Sequence, residues 1–326
     1  MAKDKTKPRA DLAPRREIAA KIEAEARTAR LRRLALIWLI TIVIVGLIVA
    51  GIIFVFLHVK GQEREASITG PTTAQQSTPP NAVNDGRAIA VKQDAAAAFA
   101  VTLPTPTPSA SGTPTTTPTA TDSPTATSTP SGPITVDLYV DFQDASSAVV
   151  QQTYGAALAT LAGKGEITLQ YHFLTSGDST NSNTASSRAA IAAACADTVG
   201  KFLPYTQAVL TATPMTATSG QLVFNDQQLQ NTFPAAAGIT GSDLTAFQTC
   251  YTQRAMSSFI STMNTANQTT AVPGNSTYTS GVTSTPVVLA NSQTVDIMSD
   301  LYGDTPSADE ASLLALFQNA IAGTSS

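Results

Sequence analysis

The strongest constraint on what this chain folds into is the stretch 134–150, Ile-Thr-Val-Asp-Leu-Tyr-Val-Asp-Phe-Gln-Asp-Ala-Ser-Ser-Ala-Val-Val. Its first seven residues are rich in β-branched and aromatic side chains, which suit a central strand. Within five residues the pattern turns helical, from about Ala145. Asp144 falls where that helix begins, and a carboxylate there accepts the unpaired N–H groups of the first turn. A strand that feeds directly into a helix commits the region to α/β layering.

The rest of the globular part extends the pattern. Residues 149–161 read as the body of the helix, with Gly163-Lys-Gly165 closing it. Residues 167–174 alternate at period two and read as a second strand, so the order implies a right-handed parallel βαβ unit. His172 lies inside that strand, where a structural role is expected. A helical block follows at 184–210, then further helices at 226–238, 242–253 and 254–267, with Ser242 and Asp243 as candidate N-caps. Two strands at 287–289 and 294–297 form a hairpin, and 307–322 reads as a closing amphipathic helix.

Ahead of this part the chain has three other characters. Residues 1–33 hold eleven Lys/Arg against five Asp/Glu, net +6, whereas the remainder holds eight against eighteen, net −10. Residues 34–57 carry no charge and, at 1.5 Å per residue, are long enough to cross a roughly 30 Å hydrocarbon core. The basic tail places the N-terminus in the cytoplasm and everything after residue 58 outside, with His58 at the interface. The acidic remainder argues against nucleic acid as a partner. Residues 58–133 read as an extracytoplasmic Thr/Ser/Pro/Ala-rich linker, with eight prolines between 104 and 133. Such a run cannot bury a core and favours extended, disordered chain. Residues 87–103 are apolar enough for a short helix or a docking segment within that Ala-rich linker. The domain organisation expected is therefore a tail at 1–33, a membrane span at 34–57, a linker at 58–133 and a folded domain at 134–326.

Asp141, Phe142 and Gln143, at the end of the first strand, resemble the active-site turn of the DsbA-like branch of the thioredoxin superfamily. That family's pattern runs strand, Asp, aromatic, Gln, then Cys-Pro-aromatic-Cys. Here the four places of the redox tetrad hold Asp144, Ala145, Ser146 and Ser147. Residues 281–295, Gly-Val-Thr-Ser-Thr-Pro-Val-Val-Leu-Ala-Asn-Ser-Gln-Thr-Val, resemble the family's Gly-Val-x-Gly-Thr-Pro, strand, Asn-Gly turn and strand, with Ser284 and Ser292 at family glycines. The resemblance covers 134–322. It implies a thioredoxin-like fold with a helical insertion between the second and third strands, and a cis proline at Thr285-Pro286. Pairing of two cysteines outside the motif is a further feature of the branch.

Exchange chemistry needs a thiolate to attack and a second thiol to resolve the mixed disulfide, and Asp144 and Ser147 supply neither. The only two cysteines are Cys195 and Cys250, in the helical insertion. An even count in an exported domain suggests a disulfide; a displaced redox pair is the other reading. No phosphate-cradling loop, metal-ligand spacing or nucleophile elbow accompanies them, so no cofactor, metal or catalytic group is expected. Asp137 and Asp141 are the nearest to an acid pair, but strand geometry separates them. The expectation is a non-enzymatic, membrane-anchored module that binds or scaffolds an envelope protein or peptide, an extended one at the Thr285-Pro286 loop. The alternatives are a thiol–disulfide oxidoreductase or isomerase using Cys195 and Cys250, and a purely structural envelope component.

Overall fold

A computed structural model describes residues 75–102, 132–212 and 224–323. The basic tail, the apolar run at 34–57 and most of the proline-rich stretch lie outside these residues. Among the described residues, no helix is long and apolar enough to cross a membrane.

The centre is a six-stranded mixed sheet. Its strands are β1 (Ala82–Val83), β2 (Ala88–Ala90), β3 (Ile134–Val140), β4 (Ile167–Phe173), β5 (Val287–Ala290) and β6 (Gln293–Val295), in spatial order β1-β2-β4-β3-β5-β6. β3 and β4 run parallel, with Ile134 opposite Ile167 and Val140 opposite Phe173. All other neighbours are antiparallel. The parallel pair is joined by helix α2 (Ala145–Lys164), as the sequence pattern requires.

Alternation along the strands divides the core in two. Ile134, Val136, Leu138 and Val140 of β3 join Val288 and Ala290 of β5 in the larger cluster, under α2 and the helical insertion. Tyr139, Val287 and Leu289 point the other way and pack with Leu174, Val272 and Val282 beneath the segment 270–286.

Residues 75–102 overturn part of the expected linker. They form β1, β2 and helix α1 (Gln93–Thr102), and β2 pairs with β4 through Ile89 opposite Tyr171. Ala88, Ile89 and Ala96 are wholly buried. The folded domain thus includes residues N-terminal to 134. The helix allowed for within 87–103 exists and packs along α2. Gly163, read as part of the helix stop, lies inside α2; a Cβ there would sit 2.7 Å from the Ala97 Cα, so its lack of a side chain admits α1. The stop itself is Gly165, at φ +75.

The insertion carries α3 (Ser176–Asn181), α4 (Ala185–Asp197), α5 (Phe202–Ala212), a π-helical turn (Gln228–Thr232), α6 (Phe233–Ala236), α7 (Gly241–Thr252) and α8 (Ser257–Thr269). The single block expected over 184–210 is broken before α5, where Gly200 adopts φ +67. The N-cap of α7 is Thr240, which makes no side-chain cap bond; neither Ser242 nor Asp243 caps it. After β6 come α9 (Ile297–Leu301) and α10 (Glu310–Ala322), capped by Asp296 and Asp309. The second strand of the hairpin ends at Val295, since the Asp296 cap turns Ile297 into a helix.

Candidate functional site

The turn after β3 is built around one carboxylate. Asp144 Oδ1 accepts the Ser146 N–H at 3.1 Å, and Oδ2 accepts the Ser147 N–H at 3.0 Å and the Ser147 hydroxyl at 2.7 Å. Thr285 Oγ1 donates to the same Oδ2 at 3.0 Å. The helix N-terminus favours negative charge there. The structure therefore brings Asp144, Ser147 and Thr285 together, with Ala145 and Ser146 half-buried in the first turn. The Thr285–Pro286 peptide is cis, as the resemblance implies. Four donors fill the carboxylate, and the Ser147 hydroxyl also accepts the Asp141 N–H at 3.3 Å. No thiol is present, and neither Asp144 nor Ser147 is left as a free base or nucleophile.

The loop leading to Pro286 has a different character. Gly281 sits at φ +114, and a Cβ there would lie 2.3 Å from the Gln268 carbonyl oxygen. Only glycine fits this close approach. Val282 then donates its N–H to the Asn267 carbonyl at 2.8 Å. Beyond it, the backbone groups of Thr283, Ser284 and Thr285 find no partner among the described residues. Thr283 and Ser284 are exposed. Ser284 keeps a negative φ, so the family glycine is not required there. Ser292, at φ +67 beside Asn291 at +46, does occupy a glycine-type position, in a hairpin turn with both central residues left-handed.

Behind the turn lies a buried polar network that anchors the end of β3. Asp141 accepts the Gln143 N–H at 2.9 Å, the Gly177 N–H at 2.7 Å and the Ser186 hydroxyl. The Gln143 amide bridges Asp178 and Ser186 and accepts from Asn181 and Asn183. Gly177 is needed for this closeness: a Cβ would meet Ser186 Oγ at 2.8 Å and Asp141 Oδ1 at 2.9 Å. Burial pushes the Asp141 carboxyl up to about 6 from 3.8, against the hydrogen bonds from Ser186, Gln143 and Gly177, and Asp178 adds to the rise.

This carboxyl binds its proton more tightly folded than unfolded. The stability it contributes is full below pH 3.8 and is lost as pH rises through about 6, on the order of 3 kcal/mol. Asp141→Asn keeps an acceptor and removes the charge. Urea unfolding across that window is expected to show a fall for the natural protein that the variant lacks; parallel profiles would contradict this.

His172 is a buried structural residue, as expected. Its ring stacks on Tyr139 at 4.1 Å, Nε2 meets Asp137 Oδ1 at 3.0 Å and Nδ1 meets Asn267 Oδ1 at 3.2 Å. Asp137 is thus paired with His172 while Asp141 belongs to the network behind the turn, and the two carboxylates share no partner. His58 lies outside the described residues. Cys195 and Cys250 form a disulfide that joins α4 to α7, with Cys195 wholly buried. Among the described residues, no group of three His, Cys, Asp or Glu is placed to hold a metal ion. Sequence reasoning missed Asn267, which clamps His172, and the carboxylate of Asp226 between two arginines; both join elements far apart in the chain.

The fold and the turn together define an α/β domain with a capped, thiol-free helix N-terminus beside a cis-proline loop. No protein-family model matches the chain, and no curated protein matches it. Among solved structures it is similar to the MdbA protein, a thiol-disulfide oxidoreductase from Actinomyces oris, at 14% identity over 57% of this chain and 80% of that one, with a TM-score of 0.45. It is similar to the MdbA protein from Corynebacterium diphtheriae at 15% identity, 50% and 78% coverage and a TM-score of 0.40. It is also similar to oxidized DsbA from Mycobacterium tuberculosis at 20% identity, 59% and 94% coverage and a TM-score of 0.39. Likeness of this degree transfers no activity to the chain.

Proposed function

We propose that this chain is a membrane-anchored, extracytoplasmic, DsbA-like thioredoxin-fold module in which thiol exchange has given way to binding of an extended polypeptide segment of an envelope partner. The observation that carries this reading is the pairing of a capped turn with a free backbone edge. Asp144 is filled by internal donors, whereas Thr283, Ser284 and Thr285 offer backbone groups with no partner among the described residues, on a loop exposed at Thr283 and Ser284. Extended peptides dock onto such edges through main-chain hydrogen bonds. The order β3-α2-β4, helical insertion, β5-β6, closing helix supports the family part of the reading. The uncharged run at 34–57 behind a tail of net +6 supports the anchoring and orientation.

The rival oxidoreductase reading needs a reactive sulfur; Cys195 is wholly buried, and Cys250, partly buried, is tied to it in the disulfide. The purely structural reading needs no loop at all, which makes the loop the test. The full-length chain is expected to bind a subset of an array of extended peptides. Ser284→Pro removes one backbone donor from the loop and is expected to weaken that binding about tenfold. Retention of no peptide, or indifference to Ser284→Pro, would favour a spacer.

A further inference from the structure

On the sheet face opposite the main core, a cavity of about 420 Å³ opens beside the first residues of β3, at the end of that strand away from the Asp144 turn. Arg87, Asp137, Tyr139, His172, Asn291 and Ser292 line it. Its volume lies within the range of small-ligand sites. Two opposite charges face it, and among the described residues no ion pair joins them. Asp137 engages Oδ1 with His172 and leaves Oδ2 over. Arg87 engages Nε with the Asn84 carbonyl at 3.2 Å and leaves both terminal nitrogens over.

The Tyr139 hydroxyl lies within electrostatic reach of both charges and has no hydrogen-bond partner among the described residues. Burial, then the Asp137 charge, raise its pKa above the ordinary phenol value, which keeps it an O–H donor. These groups are held in place before any ligand arrives. His172 is clamped between Asp137, the Tyr139 ring and Asn267, and Asn267 Nδ2 donates to the Arg87 carbonyl at 3.0 Å. One chain of contacts thus fixes the carboxylate on the sheet and the backbone that carries the guanidinium. Such support from behind is what a binding constellation requires.

We propose that this cavity binds a small zwitterion of the α-amino-acid class, with its ammonium on Asp137 Oδ2 and its carboxylate on the Arg87 guanidinium and the Tyr139 hydroxyl. A ligand with both charges satisfies both walls, whereas one with a single charge leaves the opposite wall unpaired and meets a like charge. The site is separate from the peptide loop, so Ser284→Pro leaves it unchanged.

The test is calorimetric titration of the full-length chain with L-leucine, L-glutamate and L-lysine, and with N-acetyl-leucine and leucinamide as single-charge controls. Saturable binding by at least one free amino acid is expected, with each control about tenfold or more weaker than the tightest of the three. Arg87→Gln is the variant of choice, because Asp137→Asn would also remove the charge beside the buried His172. It is expected to lower affinity for the free amino acid about tenfold. Failure of all three amino acids to saturate, controls that bind as well as the tightest of the three, or an Arg87→Gln variant that binds unchanged would each overturn the proposal.

Discussion

Asp226→Ala is expected to destabilise the domain by about 3–5 kcal/mol, the range for removing one partner from a buried ion pair. Asp226 Oδ1 accepts Arg188 Nη1 at 2.7 Å and the Tyr251 hydroxyl at 2.5 Å, and Oδ2 accepts Arg254 Nη2 at 3.1 Å. Arg188 is 1% exposed and Arg254 6%. Burial alone would raise the Asp226 carboxyl. The hydrogen bonds from Tyr251 and Arg188, and the charges of Arg254 and Arg188, outweigh it and hold the carboxyl below its usual range. Arg188 keeps the Phe224 carbonyl and Thr184, and Arg254 keeps the Tyr251 carbonyl and ring, but these are dipoles and a quadrupole. Without the carboxylate, the two guanidinium groups lose the anion they share in a poorly solvated place. Chemical denaturation of the variant beside the natural protein measures the loss. A change below about 1 kcal/mol would mean the guanidinium groups are hydrated, contrary to their burial.

Reduction of the Cys195–Cys250 disulfide is expected to cost about 4 kcal/mol. The bond closes a sequence separation of 55 residues, and the chain-entropy model assigns that loss to a loop of this length. It ties α4 to α7, the same two helices that Arg188 and Tyr251 tie through Asp226. The two staples share a structural job, so their losses are not expected to add independently. Denaturation midpoints with and without a reductant check the value. An unchanged midpoint, with reduction confirmed by thiol labelling, would contradict it.

The parts of the fold that were legible in the sequence are those set by neighbours along the chain. The β-branched run of β3, the Asp144 cap of α2 and the alternation of β4 are each local patterns, and the structure realises them at Ile134–Val140, Ala145–Lys164 and Ile167–Phe173. The parallel βαβ connection followed from their order. Residues 75–102 were not legible, because strands of two and three residues carry no period and the alanine-rich α1 gains its place only by packing on α2. A signal was present: Asn84-Asp85-Gly86, all three left-handed, separates the apolar pieces Ala82-Val83 and Ala88-Ile89-Ala90. The Asp137–His172 pair was within reach of a register argument. β3 and β4 align Asp137 with Gln170 and Tyr139 with His172, which leaves Asp137 diagonal to His172. The Asp226 cluster was out of reach, since its partners stand 38, 25 and 28 residues away on separate elements.

The proposal that this domain binds a partner and does not catalyse thiol exchange is open to direct test. It is tested most directly by mixing the oxidised full-length chain with a reduced, unfolded substrate protein and following substrate disulfide formation. No turnover above the uncatalysed rate is expected, because Asp144 and Ser147 carry no sulfur and the one disulfide has its Cys195 half enclosed. Turnover that disappears on replacing Cys195 and Cys250 would contradict the proposal and make that disulfide a working redox centre.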